Sequence, residues 1–345
     1  MKISEPNFWW VSRPLFILRL VIPGWNLFIS LIIIIKNFFI KEYTPSVPTI
    51  CVGNFVIGGQ GKTPFVRYIR EILQKRGVKT CVVLKGYGGK SKLTKIIDIN
   101  DKSENFGDES ILHSIDGLTI VSKKRKKSFD VLQNNQVDVV ILDDGLQNPS
   151  VKKDINIVMV DISKGYGNGS VIPFGPLRET IQKGLKKTDL LVFVNSINEK
   201  HDSIKKIQEL WKGPSLFADY KTILDKTIKS NLVIYSGISD PRKFSEGIKN
   251  NNRKILKNFI LHDHEEIDEK KASAILNAAN KEAVDIVTTE KDHARLRNSP
   301  KGSQRERLFS LSKLAKIEIS TDEKALIRFL ACLLYTSDAA DEVDR

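Results

Sequence analysis

The chain has 345 residues, and hydrophobic residues make up 41% of them, which is enough for a sizeable buried core. Lys and Arg outnumber Asp and Glu by 55 to 41, so the formal net charge is +14 and the surface attracts anions: nucleic acid, lipid headgroups or a phosphorylated substrate. Cys51, Cys81 and Cys332 show neither metal-ligand nor disulfide spacing, which argues against a disulfide scaffold and favours a reducing compartment.

The N-terminal region is more apolar than an ordinary soluble domain requires. Residues 20–35 carry no charge, and Trp9, Trp10 and Trp25 lie in or beside this run. The run is shorter than the ~20 residues that span a bilayer, and Pro23 interrupts it. For residues 1–45 we predict a monotopic helical segment that lies in the membrane interface. A single-span anchor and a buried core helix are the alternatives.

Residues 52–64, which read VGNFVIGGQGKTP, form the most informative motif of the chain. An apolar run at 49–52 predicts a strand before the motif, and 65–76 is compatible with a helix after it. Strand, glycine loop, Lys-Thr and helix is the order of a phosphate-binding P-loop. The usual pattern has a glycine five positions before Gly61, where this chain has Val56. A glycine turn that only joins strand and helix is the alternative.

The P-loop predicts which residues bind nucleotide and metal. Glycines let backbone N–H groups point at phosphate oxygens, and the helix start adds a positive dipole end. Lys62 would reach the β- and γ-phosphates, and the Thr63 hydroxyl would bind Mg²⁺. The predicted nucleotide-binding residues are Gly58, Gly59, Gln60, Gly61, Lys62, Thr63 and Pro64.

Short apolar runs further along the chain indicate parallel βαβ units, whose functional residues lie at the carboxyl ends of the strands. In the first part of the chain these runs are 80–84, 137–142, 155–160 and 190–194, and in the second part they are 232–236, 259–261, 285–289 and 317–319. We therefore predict an α/β fold with a P-loop NTPase-type parallel sheet in residues 46–230 and a smaller α/β subdomain in 231–331.

Several polar residues follow these runs. Asp143 and Asp144 end the strand at 137–142, where Walker-B acids hold Mg²⁺. A turn-forming Asp pair is the alternative.

Asp108 and His264 are candidates to orient or deprotonate a nucleophile. Asp108 is at the start of a predicted helix and His264 is beside an aspartate, although each alone is typical of a surface or turn residue. Arg178 lies in a rigid Gly/Pro loop and would clamp a phosphate with its planar fork, with an exposed loop arginine as the alternative.

Two further stretches have a simpler interpretation. The basic run at 123–127 is interpreted as a solvated helix face. Residues 332–342 read CLLYTSDAADE, which is the translation of a widely used sequencing adapter. We therefore expect 332–345 to be non-native and exclude it from fold reasoning.

Taken together, the motifs resemble the tetraacyldisaccharide 4′-kinase family, the lipid A 4′-kinases of Gram-negative bacteria. The strings that carry the resemblance are GNFVIGGQGKTP (53–64), KGYGG (85–89), GDE (107–109), DDGLQNPS (143–150), GNG with PFGPLRE (167–179), DH (263–264) and TTEKD (288–292). The family also lacks the first P-loop glycine, so Val56 supports the resemblance.

The resemblance implies that ATP phosphorylates the 4′-hydroxyl of an acylated glucosamine disaccharide 1-phosphate, which gives lipid IVA. It implies ATP and Mg²⁺ as cofactors, with Lys62 and Thr63 on the nucleotide and the ion, and Asp143 and Asp144 at the metal. The implied location is the cytoplasmic face of the bacterial inner membrane, where the N-terminal segment would hold the protein peripherally against the lipid.

The resemblance also implies Asp108 as the base and His264 as its partner. Other residues implied near the site are Gln147, Asn148, Arg178 and Glu179. Lys85, Ser110 and Asn148 stand where the family usually has Arg, Pro and His, and Asn148 removes a basic side chain near the phosphates.

Two other classes of protein fit less well. A membrane-associated P-loop ATPase coupled to a protein partner is the main alternative, but the chain has no guanine-reading asparagine-lysine-x-aspartate string, which weakens its GTPase version. A nucleic-acid-binding protein would interleave aromatic residues with its basic ones and would not explain the apolar N-terminus. We expect no nucleic-acid partner and no obligate protein partner.

Overall fold

The structure is a computed structural model, and it describes residues 6–10, 24–25, 27–29, 31–32, 35, 38–195, 200–262 and 265–331. His264 and the expected non-native end at 332–345 lie outside these residues. The chain divides into two compact units, one of residues 1–83, 125–219 and 320–345, the other of residues 84–124 and 220–319. The division into 1–45, 46–230 and 231–331 stays a prediction.

Strands and short helices alternate along most of the described chain. The strands are β1 (Thr49–Asn54), β2 (Thr80–Leu84), β3 (Lys95–Ile96), β4 (Thr119–Val121), β5 (Val139–Asp143), β6 (Ile155–Asp161), β7 (Leu190–Asn195), β8 (Ser215–Leu224), β9 (Asn231–Ser236), β10 (Lys254–Ile260), β11 (Asp285–Thr289) and β12 (Ser312–Thr321). The helices are α1 (Lys62–Gln74), α2 (Ser103–Phe106), α3 (Asp108–Asp116), α4 (Lys126–Leu132), α5 (Ile181–Leu185), α6 (Ser203–Leu210), α7 (Pro241–Asn250), α8 (Glu269–Glu282), α9 (Glu290–Leu296) and α10 (Gln304–Leu311). Asn7–Trp10 is a 3₁₀ turn. The described positions between 24 and 38 are helical, and so is 323–331.

The first unit is built on parallel strands in the order β8-β7-β6-β1-β5-β2. β1 lies between β5 and β6, and Cys51 pairs with Leu142 on one side and Asn156 on the other. All six residues of β1 are buried, as expected for a parallel strand that is covered on both faces. This arrangement confirms the predicted parallel sheet and brings the ends of β1, β5 and β6 to one edge.

Helix α1 fixes the position of the loop that precedes it. Its buried apolar residues recur at helical spacing and form one stripe: Phe65, Val66, Ile69, Ile72 and Leu73. Burial of such side chains is worth about 1.5–3 kcal/mol each, so the helix is held firmly by packing. The first turn of α1 is therefore a stable base for a ligand site.

The second unit has parallel strands in the order β10-β9-β11-β12, and β3 pairs antiparallel with β4. Strand β9 contributes to two apolar cores because its side chains alternate between faces. Val233 and Tyr235 pack in a core with residues of α8, whereas Leu232 and Ile234 pack in a core with residues of α7. The strands of this unit thus carry helices on both faces.

The apolar N-terminal region is partly described. Trp9 is only 1% exposed, whereas Phe38 and Phe39 are 86% and 80% exposed. Within the described ranges, none of the helices combines the length and apolar character needed to cross a bilayer.

Candidate active site

The glycine loop between β1 and α1 has the backbone that a P-loop requires. Gly58 has φ 95° and Gly61 has φ 79°, a left-handed region that glycine adopts without strain. Gly61 is the N-terminal cap of α1, so Lys62, Thr63 and Pro64 form the first turn of the helix. Proline is tolerated there because a first-turn N–H has no partner within the helix. The turn therefore presents a helix N-terminus, which favours an anion.

Two side chains hold the shape of this loop. The Asn54 side-chain amide donates to the carbonyl oxygen of Gly58 at 3.3 Å. The Gln60 side chain is buried, and its Oε1 accepts from the backbone N–H of Asp161 at 2.7 Å. The Gln60 side-chain oxygen thus connects the glycine loop to the end of β6.

The Thr63 hydroxyl and the Asp143 carboxylate lie next to each other. The Thr63 hydroxyl donates to Asp143 Oδ2 at 3.3 Å, which joins the start of α1 to the end of β5. Hydroxyl and carboxylate oxygens are the ligand types that Mg²⁺ prefers. Within the described part of the chain there is no cluster of three or more His, Cys, Asp or Glu side chains that would hold a metal alone.

Asp144 lies between two cations. Arg178 binds it through both oxygens, with Nη1–Oδ1 at 2.6 Å and Nη2–Oδ2 at 2.9 Å, and Lys62 Nζ is 3.9 Å from Oδ2. Burial works to raise the pKa of the Asp144 carboxyl, but the Lys62 ammonium and the Arg178 guanidinium outweigh it and hold the pKa well below its usual range. Asp144 is therefore ionised at neutral pH and keeps both cations at the phosphate end of the loop.

Gln147 extends this group. Its Oε1 accepts from Arg178 Nη1 at 3.3 Å, and its Nε2 donates to the carbonyl oxygen of Asn54 at 3.0 Å. The backbone N–H of Arg178 donates to the carbonyl oxygen of Phe55 at 2.9 Å. The structure therefore brings Gln147, Arg178 and Asp144 together beside the P-loop.

The loop that carries Arg178 is also tied to the N-terminal tryptophans. The indole N–H of Trp9 donates to the carbonyl oxygen of Pro173 at 2.9 Å, and that of Trp25 donates to the carbonyl oxygen of Ile172 at 2.8 Å. On its other side the backbone N–H of Ile57 donates to the carbonyl oxygen of Pro176 at 2.9 Å. One loop thus contacts the N-terminal segment and the P-loop.

Two predicted site residues have local partners. Asn148 Oδ1 accepts from the backbone N–H of Ser150 at 2.9 Å, which is a turn hydrogen bond. Glu179 is 3% exposed and pairs with Lys187 at 2.6 Å. Local structure accounts for these contacts, and a role in the site stays a prediction for both residues.

Arg125 is a residue that sequence reasoning missed. It was interpreted as part of a solvated basic face, but its side chain is buried and donates to the carbonyl oxygens of Val83 at 2.9 Å, Asp143 at 2.8 Å and Asp144 at 2.9 Å. The guanidinium therefore holds the chain where the two acidic residues leave β5. Lys124, Lys126 and Lys127 are exposed, as that interpretation expected.

Asp108 lies in the second unit, where it opens α3 and is 3% exposed. Its Oδ2 accepts from Arg295 Nε at 2.8 Å and lies 2.6 Å from Arg295 Nη2, and Lys291 Nζ is 3.9 Å away. Neither Arg295 nor Lys291 was singled out from the sequence, although Lys291 belongs to the TTEKD string. The pairing of Asp108 with His264 stays a prediction, because His264 lies outside the described residues.

Comparison with known proteins identifies the family. The family model described as tetraacyldisaccharide-1-P 4′-kinase (LpxK) matches residues 19–334. The chain is 33% identical over 304 residues to the tetraacyldisaccharide 4′-kinase of Nitrobacter winogradskyi, covering 86% of this chain and 88% of that protein. It is 32% identical over 252 residues to the enzyme of the same name from Rhizobium rhizogenes, covering 72% and 71%.

A solved structure shares the fold. The crystal structure of LpxK from Aquifex aeolicus in complex with ATP aligns with a TM-score of 0.71 at 24% identity, and the match covers 92% of this chain and all of that one. The resemblance drawn from the motifs is thus confirmed by the family model and the relatives, and the chain belongs to the tetraacyldisaccharide 4′-kinase family.

Proposed function

We propose that this protein is an ATP-dependent kinase that phosphorylates the 4′-hydroxyl of a tetraacylated glucosamine disaccharide 1-phosphate to give lipid IVA. Family membership supports the reaction, since the relatives carry the name of this kinase. The observation that carries the proposal is the P-loop turn itself, where Lys62 lies beside Asp144 and Thr63 bonds Asp143. Phosphoryl transfer needs mainly positioning and charge stabilisation, and these side chains supply both.

The P-loop would bind the phosphates of ATP. Backbone N–H groups of the glycine loop and the start of α1 favour the anion, and the Lys62 ammonium adds a mobile cation. Lys62 Nζ is 3.9 Å from Asp144, beyond hydrogen-bond distance, so a γ-phosphate competes easily for it. Asp144 keeps the bidentate partner, Arg178, when Lys62 turns to the phosphate.

Mg²⁺ fits the oxygen pair of Thr63 and Asp143. The ion demands octahedral oxygen ligands but usually takes only one or two from the protein, with phosphates and waters completing the set. When bound there, the ion would offset the charge that develops on the phosphates. Asp144 was predicted at the metal too, and its bidentate bond to Arg178 suggests that it acts through its charge or through a bound water.

Asp108 would be the base for the sugar hydroxyl, with His264 as its partner. The hydroxyl proton passes to the carboxylate, the oxygen bonds the γ-phosphorus, and the bond to the bridging oxygen of ADP breaks. In a loose transition state the attacking oxygen forms little bond and gives up its proton late. A weak but correctly placed carboxylate is therefore sufficient.

The N-terminal segment would place the protein at the membrane, peripherally and at the cytoplasmic face. Between residues 24 and 39, the described side chains that are large, apolar and exposed are Leu27, Phe28, Leu31, Ile32, Ile35, Phe38 and Phe39. Their spacing along the sequence, mostly one, three and four residues, is typical of one face of a helix. We call these seven residues the apolar face. Such a face suits an interfacial helix that lies along the surface where the lipid substrate is held.

The test is transfer of labelled phosphate from γ-labelled ATP, with Mg²⁺, to the lipid disaccharide 1-phosphate in detergent. We expect a labelled lipid with the mobility of lipid IVA. Lipid IVA offered as the acceptor is the matched control and should stay unlabelled, because its 4′-position is occupied. Release of inorganic phosphate without lipid labelling would contradict the proposal and favour the ATPase alternative.

A further inference from the structure

A buried group of charges surrounds Arg295 in the second unit. Arg295 Nη1 is 2.7 Å from Asp292 Oδ1. Its Nε and Nη2 are 2.8 Å and 2.6 Å from Asp108 Oδ2. Arg295 Nη2 also donates to the carbonyl oxygen of Gly237 at 3.2 Å. Exposure is 9% for Arg295, 3% for Asp108 and none for Asp292. Charges this deeply buried are retained only where they are paired and hydrogen-bonded.

Arg295 is held independently of Asp108. It is on α9 three residues after Asp292, whose second oxygen accepts from the Thr289 hydroxyl at 2.6 Å. Asp292 Oδ1 also accepts from the backbone N–H of Gly237 at 3.0 Å. The guanidinium is therefore set in place by its own helix and by the turn after β9, so it is preorganised to meet Asp108, 187 residues away in sequence.

Other charges lie near Asp108 in the described part of this unit. Lys291 on α9 is 3.9 Å from Asp108 Oδ2 and 3.6 Å from Glu109 Oε1. Asp292 pairs with the same Arg295 guanidinium as Asp108. Asp108 Oδ1 accepts from the backbone N–H of Glu109 at 3.1 Å at the start of α3, where the helix dipole also favours a carboxylate. The Arg295 guanidinium, the Lys291 ammonium and the start of α3 therefore all lie beside the Asp108 carboxylate.

We propose that Arg295 is a positioning residue for Asp108: its fork holds one carboxylate oxygen, fixes the orientation of the carboxylate and keeps it charged for the acceptor hydroxyl. This inference rests on the proposed function, in which Asp108 is the base. Arg295 acts through Asp108 and is given no role in binding the substrate or the nucleotide. The ion pair would weaken Asp108 as a base, which a late proton transfer tolerates.

The pH dependence of turnover tests this inference. Removal of the guanidinium should raise the pKa of Asp108, because an opposite charge in contact with a carboxylate favours its ionised form. A base works when deprotonated. In Arg295→Gln the acidic limb of the profile of kcat against pH should therefore move to higher pH. The loss of activity should be largest near the acidic limb and shrink as the pH rises, with the KM for ATP unchanged. A loss by the same factor at every pH would overturn the inference.

Thr289→Ala is the matched control. It removes the hydroxyl that caps α9 and bonds Asp292, so it weakens the same helix but leaves the guanidinium in place. We expect a lower melting temperature and an acidic limb at the wild-type pH. A limb that moves as far as in Arg295→Gln would show that a loosened helix is enough, and would overturn the inference.

A double variant tests the inference even where Arg295→Gln does not fold. Arg295→Lys keeps the charge and loses the fork, so its turnover should fall while the acidic limb stays near its wild-type pH. Because the effect passes through Asp108, Arg295→Lys should cost nothing further in an Asp108→Asn background. If the double variant loses the product of the two single-variant losses in turnover, the proposal is contradicted. An inactive wild-type protein would instead refute the proposed function, so the two failures are distinguishable.

Discussion

Two cations reach Asp144 from different parts of the chain, and their geometry suggests different tasks. Arg178 holds both carboxylate oxygens within 2.9 Å, whereas Lys62 lies 3.9 Å away at the start of α1. A bidentate arginine–carboxylate pair is strong and directional, and a single distant ammonium is easily exchanged. We therefore expect Lys62 to leave Asp144 for the transferred phosphate while Arg178 stays paired.

Lys62→Ala should remove most of the transfer activity. Loss of one positioned charge on the developing transition state typically costs about 10²–10³ in kcat. Lys212→Ala removes the same charge from an exposed position of the same unit and should behave like the wild type. Steady-state kinetics with ATP and the lipid acceptor decide the matter, and near-normal turnover of Lys62→Ala would refute the P-loop assignment.

The sequence was informative for residues that a known motif marks and uninformative for residues outside such a motif. Thr63 and Asp143 were predicted at one site because P-loop chemistry needs a hydroxyl and an acid there, and they bond at 3.3 Å. Arg125 was misinterpreted because its carbonyl acceptors lie 18 to 42 residues away, and nothing in a run of five basic residues marks the one that is buried. Ser110, where the family usually has Pro, uses its hydroxyl to bond the carbonyl oxygens of Phe106 and Gly107 at the start of α3.

At the scale of elements, the loop before α5 explains the departure from the usual P-loop pattern. Val56, in place of the first glycine, is buried and forms an antiparallel bridge with Leu177. The same loop accepts hydrogen bonds from Trp9 and Trp25 through Pro173 and Ile172. The N-terminal segment therefore helps to fix the loop that presents Arg178.

Trp9→Phe should reduce phosphate transfer, because it removes one hydrogen bond that holds this loop. The substitution keeps most of the buried ring but leaves the Pro173 carbonyl without its indole donor, which costs about 1 kcal/mol in the free energy of unfolding. Trp211→Phe is a matched control, because Trp211 also donates to a proline carbonyl, that of Pro214, but only three residues away and at an exposed position. We expect a higher KM for ATP in Trp9→Phe alone. Equal kinetics in the two variants would contradict the coupling.

Strands β3, β4 and β8 were missed, and β8, the longest of the three, differs from the predicted strands in how it is buried. Strand β2 was predicted with its observed bounds and β5 within two residues, because both are continuous β-branched or apolar runs that are buried on both faces. Strand β8 was missed because most of its ten residues are exposed or half-buried, and Asp219 and Lys221 interrupt its apolar character. Long-range pairing, which no local pattern reports, makes that segment a strand.

At the scale of the whole molecule, the apolar face is the feature that connects the fold to a lipid substrate. Deletion of residues 1–41 would be a poor test, because Trp9 and Trp25 hold the loop that carries Arg178. Substitutions confined to the exposed side chains leave those anchors intact. They separate membrane binding from the integrity of the nucleotide site.

Leu31→Asp with Phe38→Asp should abolish most binding to anionic lipid vesicles in a sedimentation assay. Each large apolar side chain contributes about 1.5–3 kcal/mol when it is buried, so binding should fall by at least tenfold, while ATP binding persists. Leu93→Asp, at a 68% exposed position of the second unit, is the control and should bind vesicles like the wild type. Unchanged vesicle binding of the double variant would refute the proposed role of the apolar face.

The position of the new phosphate on the lipid product tests the central claim most directly. Phosphorus–proton correlation NMR of the product made from ATP and the disaccharide 1-phosphate shows which sugar proton is coupled to each phosphorus. We predict one unchanged phosphorus at the 1-position and one new phosphorus coupled to H4′ of the distal glucosamine, with far less of this product formed by Lys62→Ala in the same time. A new phosphorus at any other position, or ATP consumed with no phosphorus added to the lipid, would contradict the account.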